Sequence, residues 1–164
     1  MTERARKAIL LAGLLLVLAG VNFTIWSREN LLASGEVLLV ELAPVDPRSL
    51  MQGDYMALNF RVATQVPRAE EGDPSAGKLV LKRGDNGVAV FDRVYAGGVL
   101  APDERLLDYR VRERRVRIVT NAWFFEEGQG GRYTAARYGE LRVLPSGEAL
   151  LSGMRDAEMK PIRP

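Results

Sequence analysis

The chain of 164 residues contains no histidine and no cysteine. The absence of cysteine excludes a thiol nucleophile, a disulfide framework and a thiolate zinc site. The absence of histidine excludes a Ser-His-Asp triad, histidine acid–base chemistry and metal sites with imidazole ligands. The commonest catalytic and metal-binding groups are therefore missing, and no cofactor or metal is predicted.

Positive charge in excess is found only at the N-terminus. The formal net charge is +2, and Arg4, Arg6 and Lys7 against Glu3 account for all of it. The remaining residues therefore carry equal numbers of acidic and basic groups. General nucleic-acid binding lacks electrostatic support in a neutral domain, so nucleic acid is not an expected partner.

Residues 8–26 form a long hydrophobic run without a charge, in which only Asn22 and Thr24 are clearly polar. As a helix, this run would be about 28 Å long, close to the roughly 30 Å hydrocarbon core of a bilayer. Trp26 at its end suits the headgroup region. The sequence predicts a transmembrane helix, with the bilayer as its partner.

The charges beside this helix predict its orientation. By the positive-inside rule, residues 1–7 form a cytoplasmic basic tail and everything after Trp26 is exported. The expected location is the bacterial inner membrane, with a signal anchor and a periplasmic domain. A cleaved signal peptide is the alternative, since Val17-Leu18-Ala19 fits a small-residue cleavage site after Ala19.

The exported part is predicted to be rich in β-strands. Residues 27–35 continue the helix as a linker, residues 36–155 form the domain, and residues 156–164 form a frayed tail. Residues 55–63 alternate in polarity as a strand with one buried face does, with Met56, Leu58, Phe60 and Val62 inward.

Turn signals separate the other predicted strands. Gly84-Asp85-Asn86-Gly87 and Pro145-Ser146-Gly147 each lie between two apolar runs and predict hairpins. Residues 106–120 form one bent strand or two, and residues 133–138 one short helix. The fold class is therefore mainly β: a small antiparallel barrel-like or sandwich-like domain after the N-terminal helix.

Two separated motifs resemble a known family. Gly53, Asp54, Tyr55 and Leu58 match the signature G-D-Y-x-x-L-x-Y, with Phe60 in place of its last tyrosine. The second stretch is Phe124-Phe125-Glu126-Glu127-Gly128, followed by Ala136-Arg137-Tyr138-Gly139 and a closing strand at 141–143. With the N-terminal anchor, the chain resembles the GDYXXLXY-domain family. The resemblance implies a membrane-anchored protein of uncharacterised biochemical role and supplies no catalytic residue.

The first motif has a structural and a functional interpretation. Gly53 suits a tight turn with positive φ, and Asp54 suits hydrogen bonds to the backbone of that turn. Leu58 and Phe60 then pack inward while Tyr55 faces elsewhere. In the other interpretation, Asp54 and Tyr55 line a binding site.

Three further groups are candidates for chemistry. Ser49 with a lysine (Lys78, Lys82 or Lys160) could form a signal-peptidase-like hydrolase, although the local pattern departs from that of those peptidases. Glu126 and Glu127 before a Gly-rich loop could act as general acid and base, hold Ca²⁺, or form ion pairs with Arg132 or Arg137.

An arginine-rich segment is the third candidate. Arg110, Arg112 and Arg114 are predicted to share one strand face, followed by Arg115 and Arg117 after a slip. They could bind phosphate or carboxylate groups, or pair with acids such as Asp92 or Asp103.

The function expected from these observations is not enzymatic. The sequence favours an exported, membrane-tethered binding or interaction module, with an integral membrane protein as a candidate partner and an unknown ligand. The Ser49/lysine hydrolase is the alternative.

Overall fold

The computed structural model describes residues 2–43, 55–67, 74–84 and 86–163, with the side chain of Ala8 left aside. A long N-terminal helix, α1 (Glu3–Ser34), leads into a mostly β domain. Thr2 caps the helix by accepting a hydrogen bond from the Ala5 amide at 3.4 Å. The helix is long and apolar enough to span a membrane.

The apolar side chains of α1 are exposed over most of its length. Leu10, Leu11 and Leu16, which point in different directions around the helix, are 65%, 58% and 74% exposed. Asn22 and Thr24 donate to backbone carbonyls of the preceding turn at 2.8 and 2.9 Å, so neither needs another polar partner. A helix that is apolar all round needs a surrounding apolar medium.

The domain is built on one large mixed sheet. Its strands are β1 (Glu36–Glu41), β3 (Ala76–Arg83), β4 (Val88–Val94), β5 (Glu104–Arg112), β6 (Arg115–Ile118), β8 (Tyr138–Val143), β9 (Ala149–Arg155) and β10 (Pro161–Ile162). The order is β10-β9-β8-β1-β4-β3-β5-β6. Within the described residues, β1 and β4 are its one parallel pair.

A second, two-stranded sheet and two short helices complete the domain. The strands are β2 (Tyr55–Ala57) and β7 (Ala122–Phe124), and the helices are α2 (Arg61–Gln65) and α3 (Gly130–Tyr133). The predicted mainly β class is confirmed. Over the described residues the large sheet is not a closed barrel, because it ends at β10 and β6.

The large sheet is curled. The turn between β8 and β9 reaches the edge of β5 beyond the end of β6, where the Asp108 amide donates to the Gly147 carbonyl at 2.8 Å. Gly147 has a φ of 97°, which a side chain would strain, and an added Cβ would lie 2.9 Å from Asp108 Oδ1. The curl brings the β8–β9 turn and β5 onto the same side of the molecule.

Alternating side chains of the central strands form the core. Leu38, Leu79, Leu107 and Leu141 are at most 1% exposed, and they belong to one cluster that includes Met56 and Met154. Burying a leucine of this kind stabilises the fold by about 1.5–3 kcal/mol before entropy is counted.

The predicted strand at 55–63 is correct only in its first part. Met56, Leu58, Phe60 and Val62 are all buried, as expected. The backbone, however, leaves the strand after Ala57, bridges Leu42 at Phe60 and turns into α2. The short helix α2 buries Val62, as a continued strand would have done. The alternation of polar and apolar residues therefore did not distinguish a strand from a helix here.

Two other predictions were wrong. The short helix lies at Gly130–Tyr133, before the predicted 133–138. The tail expected to be frayed instead returns to the sheet, where Pro161 and Ile162 pair with Arg155 and Met154. The Asp156 carboxylate accepts from the Lys160 amide at 2.8 Å, which closes the intervening turn.

Ion pairs link strands that are separated by one or two others in the large sheet. Arg105 donates to Glu36 at 2.6 Å, and this hydrogen bond lowers the pKa of Glu36. Arg93 donates to Glu104 at 2.6 and 3.1 Å, and the pair lowers the pKa of Glu104 to about 2. A carboxylate with a lowered pKa stabilises the fold above its unfolded pKa and loses that effect as the pH falls.

Glu104→Gln should make the protein less sensitive to acid. In the native chain the free energy of unfolding should fall between pH 4.5 and about 2, because Glu104 must be protonated there. The variant should be less stable at neutral pH and lose less on acidification. Thermal melts followed by circular dichroism measure this, with the exposed Glu127→Gln as control. An unchanged acid profile would contradict the role of the Arg93–Glu104 pair.

Candidate functional site

The two motifs of the sequence meet in the small sheet. Antiparallel pairing of β2 with β7 places Tyr55 opposite Phe124 and Met56 opposite Trp123. The rings of Tyr55 and Phe124 lie 5.8 Å apart, and Phe124 is 73% exposed. The segments around Tyr55 and Phe124 are therefore one structural unit.

The last aromatic position of the first motif packs against the end of the second. Phe60 is buried, and an added Cβ on Gly139 of β8 would lie 2.8 Å from its ring. Glycine within a strand often marks such a close approach. Leu58 is buried in the same core. Leu58 and Phe60 thus serve the core, whereas Gly53 and Asp54, with the turn predicted for them, lie outside the described residues.

Glu126 and Glu127 are exposed in a turn with Gly128, whose φ is 81°. Arg137 donates to the carbonyl of Ala136 at 2.9 Å. The ion pairs expected between these glutamates and Arg132 or Arg137 do not form among the described residues. Among all the residues that the structure describes, no group of three or more acidic side chains is placed to hold a metal ion.

Two of the three lysines of the hydrolase hypothesis face carboxylates, and the third, Lys160, is exposed. Lys78 Nζ lies 2.6 Å from Asp108 Oδ1, and Lys82 Nζ lies 3.5 Å from Asp103 Oδ2. A lysine that acts as a base is instead held in a desolvated, apolar pocket. The proposed nucleophile, Ser49, lies outside the described residues.

A cleft of about 530 Å³ lies between the end of α1, the β8–β9 turn and the β5–β6 hairpin. The polar residues Thr120 and Asn121, which follow β6, are part of its lining. Much of the rest consists of charged side chains: Arg28, Asp108, Arg110, Arg112, Glu113, Arg117 and Glu148. Arg28 lies two residues after Trp26 on the same helix. The cleft is therefore next to the end of the apolar segment.

Ion pairs occupy two of the three acids in the cleft. Arg28 donates to Glu148 at 2.8 Å, which joins the helix to the β8–β9 turn. Asp108 is held by Lys78, as described above. Exposed pairs of this kind contribute at most about 1 kcal/mol each, so they orient the side chains more than they stabilise the fold.

The arginines of the hairpin face each other across two strands. Arg110 lies opposite Arg117, and Arg112 lies opposite Arg115. The predicted common face with Arg114 was wrong, because Arg114 lies in the two-residue turn between the strands. The acids suggested as partners are engaged elsewhere: Asp92 by Arg93, and Asp103 by Lys82.

A sequence model described as GDYXXLXY protein matches residues 17–154. The chain belongs to the GDYXXLXY family. The match begins within α1 and ends in β9, so it includes both motifs and every residue that lines the cleft. The resemblance seen in the sequence is confirmed. Neither curated proteins nor solved structures gave a match to this GDYXXLXY protein.

Four of the seven charged residues that line the cleft were not predicted from the sequence: Arg28, Asp108, Glu113 and Glu148. The other three, Arg110, Arg112 and Arg117, belong to the predicted arginine-rich segment. The position of Arg28 just past Trp26 was the available signal. Nothing in the sequence indicated that the β8–β9 turn would fold over the edge of β5.

Gly139→Ala should destabilise this GDYXXLXY protein by about 1–3 kcal/mol, because the new methyl group would overlap the ring of Phe60. Chemical denaturation measures the change. The matched control is Gly153→Ala on the neighbouring strand β9, where an added Cβ meets nothing within 4 Å.

A double-mutant cycle tests whether the two motifs are coupled. Combining Gly139→Ala with Phe60→Leu, which removes the ring, should cost less than the sum of the single changes. Strictly additive free energies would show that Gly139 is not required by Phe60.

Proposed function

We propose that this GDYXXLXY protein is a single-pass protein of the bacterial cytoplasmic membrane with its N-terminus inside. Its β domain, on the outer side, is a binding or interaction module. The bilayer and an integral membrane protein beside it are the proposed partners. The observation that carries the proposal is that one helix supplies both the apolar segment and, at Arg28, a wall of the charged cleft.

The exposure of α1 supports the anchor. In the part of the chain that the structure describes, its apolar side chains are buried only near its C-terminal end, where Leu31 is 1% exposed. A helix of this kind in water would leave a large apolar surface uncovered, whereas a bilayer would cover it. Arg4, Arg6 and Lys7 before the span support the cytoplasmic position of the N-terminus.

The cleft supports a role in binding. Small ligands bind in concave sites of about 300–1,000 Å³, where convergent polar groups fix their orientation, and the cleft has a volume of about 530 Å³. Lys78 and Lys82 are paired with acids, and the chain has no histidine or cysteine. Binding without chemistry is therefore the function that these residues support best.

Alkaline phosphatase fused to the C-terminus should be active, because it folds only on the outer side. Changing Arg4, Arg6 and Lys7 together to glutamine should reduce that activity, since Arg28 on the other flank would then carry the larger charge bias. Activity per amount of fusion protein is the measurement. An inactive native fusion would contradict the proposed topology.

Mass spectrometry of the same membrane fraction addresses cleavage. Peptides from residues 3–19 should remain part of the mature chain if α1 is an uncleaved anchor. Their loss would favour a signal peptide cut after Ala19.

The cleft should lie at the membrane surface. Since the chain has no cysteine, Val119→Cys provides a unique labelling site in the cleft lining. A fluorophore there should be quenched by headgroup-labelled lipid. The control is Glu158→Cys, which lies beyond the C-terminal end of β9. Arg28 contacts Glu148 at the other end of this strand, and the two ends are about 20 Å apart. Equal quenching at both positions would contradict this placement.

A further inference from the structure

Four arginines form a compact cluster on the β5–β6 hairpin. Arg110 and Arg117 are directly opposite each other, as are Arg112 and Arg115, and we name these four residues the arginine quartet. Directly opposite residues on one face have Cβ atoms about 4.5–5.5 Å apart. Like charges at this distance destabilise a strand pair, so the hairpin carries an unfavourable electrostatic arrangement.

The core fixes the register that creates the quartet. The intervening residues of the hairpin pair as Tyr109 with Ile118 and Val111 with Val116, and Ile118 is a buried core residue while Tyr109 and Val116 pack against the core. The two-residue turn has positive φ at both positions, 52° and 60°. A slip of one residue would expose this apolar face, so the repulsion cannot be relieved by a change of register.

Other strand arginines of this protein behave differently. Arg83 and Arg105 pair with Glu36, Arg93 pairs with Glu104, and Arg155 pairs with Glu140. No member of the quartet makes an ion pair or a side-chain hydrogen bond with another residue that the structure describes. The same sheet therefore neutralises its arginines at several positions and leaves charge uncompensated at the cleft.

The cleft concentrates this charge. Arg110, Arg112 and Arg117 line it, and Arg28 lies on the facing wall. Glu148 and Asp108 are already engaged by Arg28 and Lys78. Glu113 is the one lining acid without an ion pair among the described residues, so the cleft retains an excess of positive charge.

We propose that the arginine quartet binds a phosphate group, either of an anionic lipid headgroup or of a water-soluble phosphate ester. This inference rests on the proposed function for the position of the cleft beside the bilayer. Guanidinium groups recognise phosphate oxygens through paired, charge-assisted hydrogen bonds. A phosphate offers three or more oxygens in a tetrahedron, so guanidinium groups from two strands can share it, whereas a carboxylate offers two in a plane.

The test uses the full chain in nanodiscs of zwitterionic phosphatidylcholine. Calorimetric titration with glycerol phosphate should show binding, and acetate should bind much more weakly. Arg110→Gln with Arg117→Gln should weaken glycerol phosphate binding by about tenfold or more. The matched control, Arg132→Gln with Arg163→Gln, makes the same charge change at exposed positions away from the cleft and should leave binding unchanged.

Two further measurements separate binding from folding. Glycerol phosphate should raise the melting temperature of the native chain and not that of the Arg110/Arg117 variant. Arg110→Lys with Arg117→Lys keeps the charges but removes the paired donors of the guanidinium groups. This variant should fold, and its affinity for glycerol phosphate should nevertheless be lower than that of the native chain.

Nanodiscs that also contain phosphatidylglycerol distinguish the two sources of phosphate. Weaker glycerol phosphate binding in these discs would identify the lipid headgroup as the occupant, and unchanged binding would identify a soluble ester; both support a phosphate site. No binding, equal binding of acetate, or equal loss in the control variant would overturn it. Nanodiscs expose both faces, so a failed fusion test of topology would leave this result intact.

Discussion

The domain depends on the junction between the helix and the central strand of the sheet. Gly35 separates α1 from β1, and its amide donates to the Leu31 carbonyl at 2.9 Å. An added Cβ would lie 2.5 Å from that carbonyl oxygen and 3.1 Å from the amide nitrogen of Val143 on β8. The absence of a side chain therefore lets the helix end directly against the sheet. Any membrane anchor formed by α1 is in this way joined directly, without a linker, to the middle of the fold.

This direct connection explains how the cleft can be built from distant segments. Leu31 is buried next to the junction, and Arg28, one turn earlier, reaches Glu148 in the β8–β9 turn. The curl of the sheet brings that turn to β5 through the bond between Asp108 and Gly147. One wall of the cleft therefore belongs to the helix, and the other belongs to the sheet.

Much of the fold could be predicted because local chemistry determines it. The apolar run indicates α1, and glycines with positive φ at 87 and 147 mark the two predicted hairpins. The β5–β6 turn escaped prediction because Glu113 and Arg114 are not residues that favour positive φ. The pairing of β10 with β9 was also not predicted. It depends on tertiary position, and a strand of two residues is too short to show a pattern in the sequence.

The candidate site was less predictable than the fold. The resemblance identified the family and drew attention to Tyr55 and Phe60, yet Phe60 fills space beside Gly139 in the core. The residues after the N-terminal segment have a formal net charge of zero. This total does not show that positive charge is in local excess at the arginine quartet. Burial and pairing decide which charges remain available to a ligand, and both depend on cross-strand register, which the sequence does not display.

The position of β1 in the sheet also has a consequence for biosynthesis. Leu39 of β1 pairs with Val88 of β4 on one side and with Glu140 of β8 on the other, about 100 residues later in the chain. A chain made from its N-terminus must therefore hold the first strand of the domain without its antiparallel partner until most of the domain has been synthesised. Such long-range pairing slows folding and prolongs the exposure of strand edges.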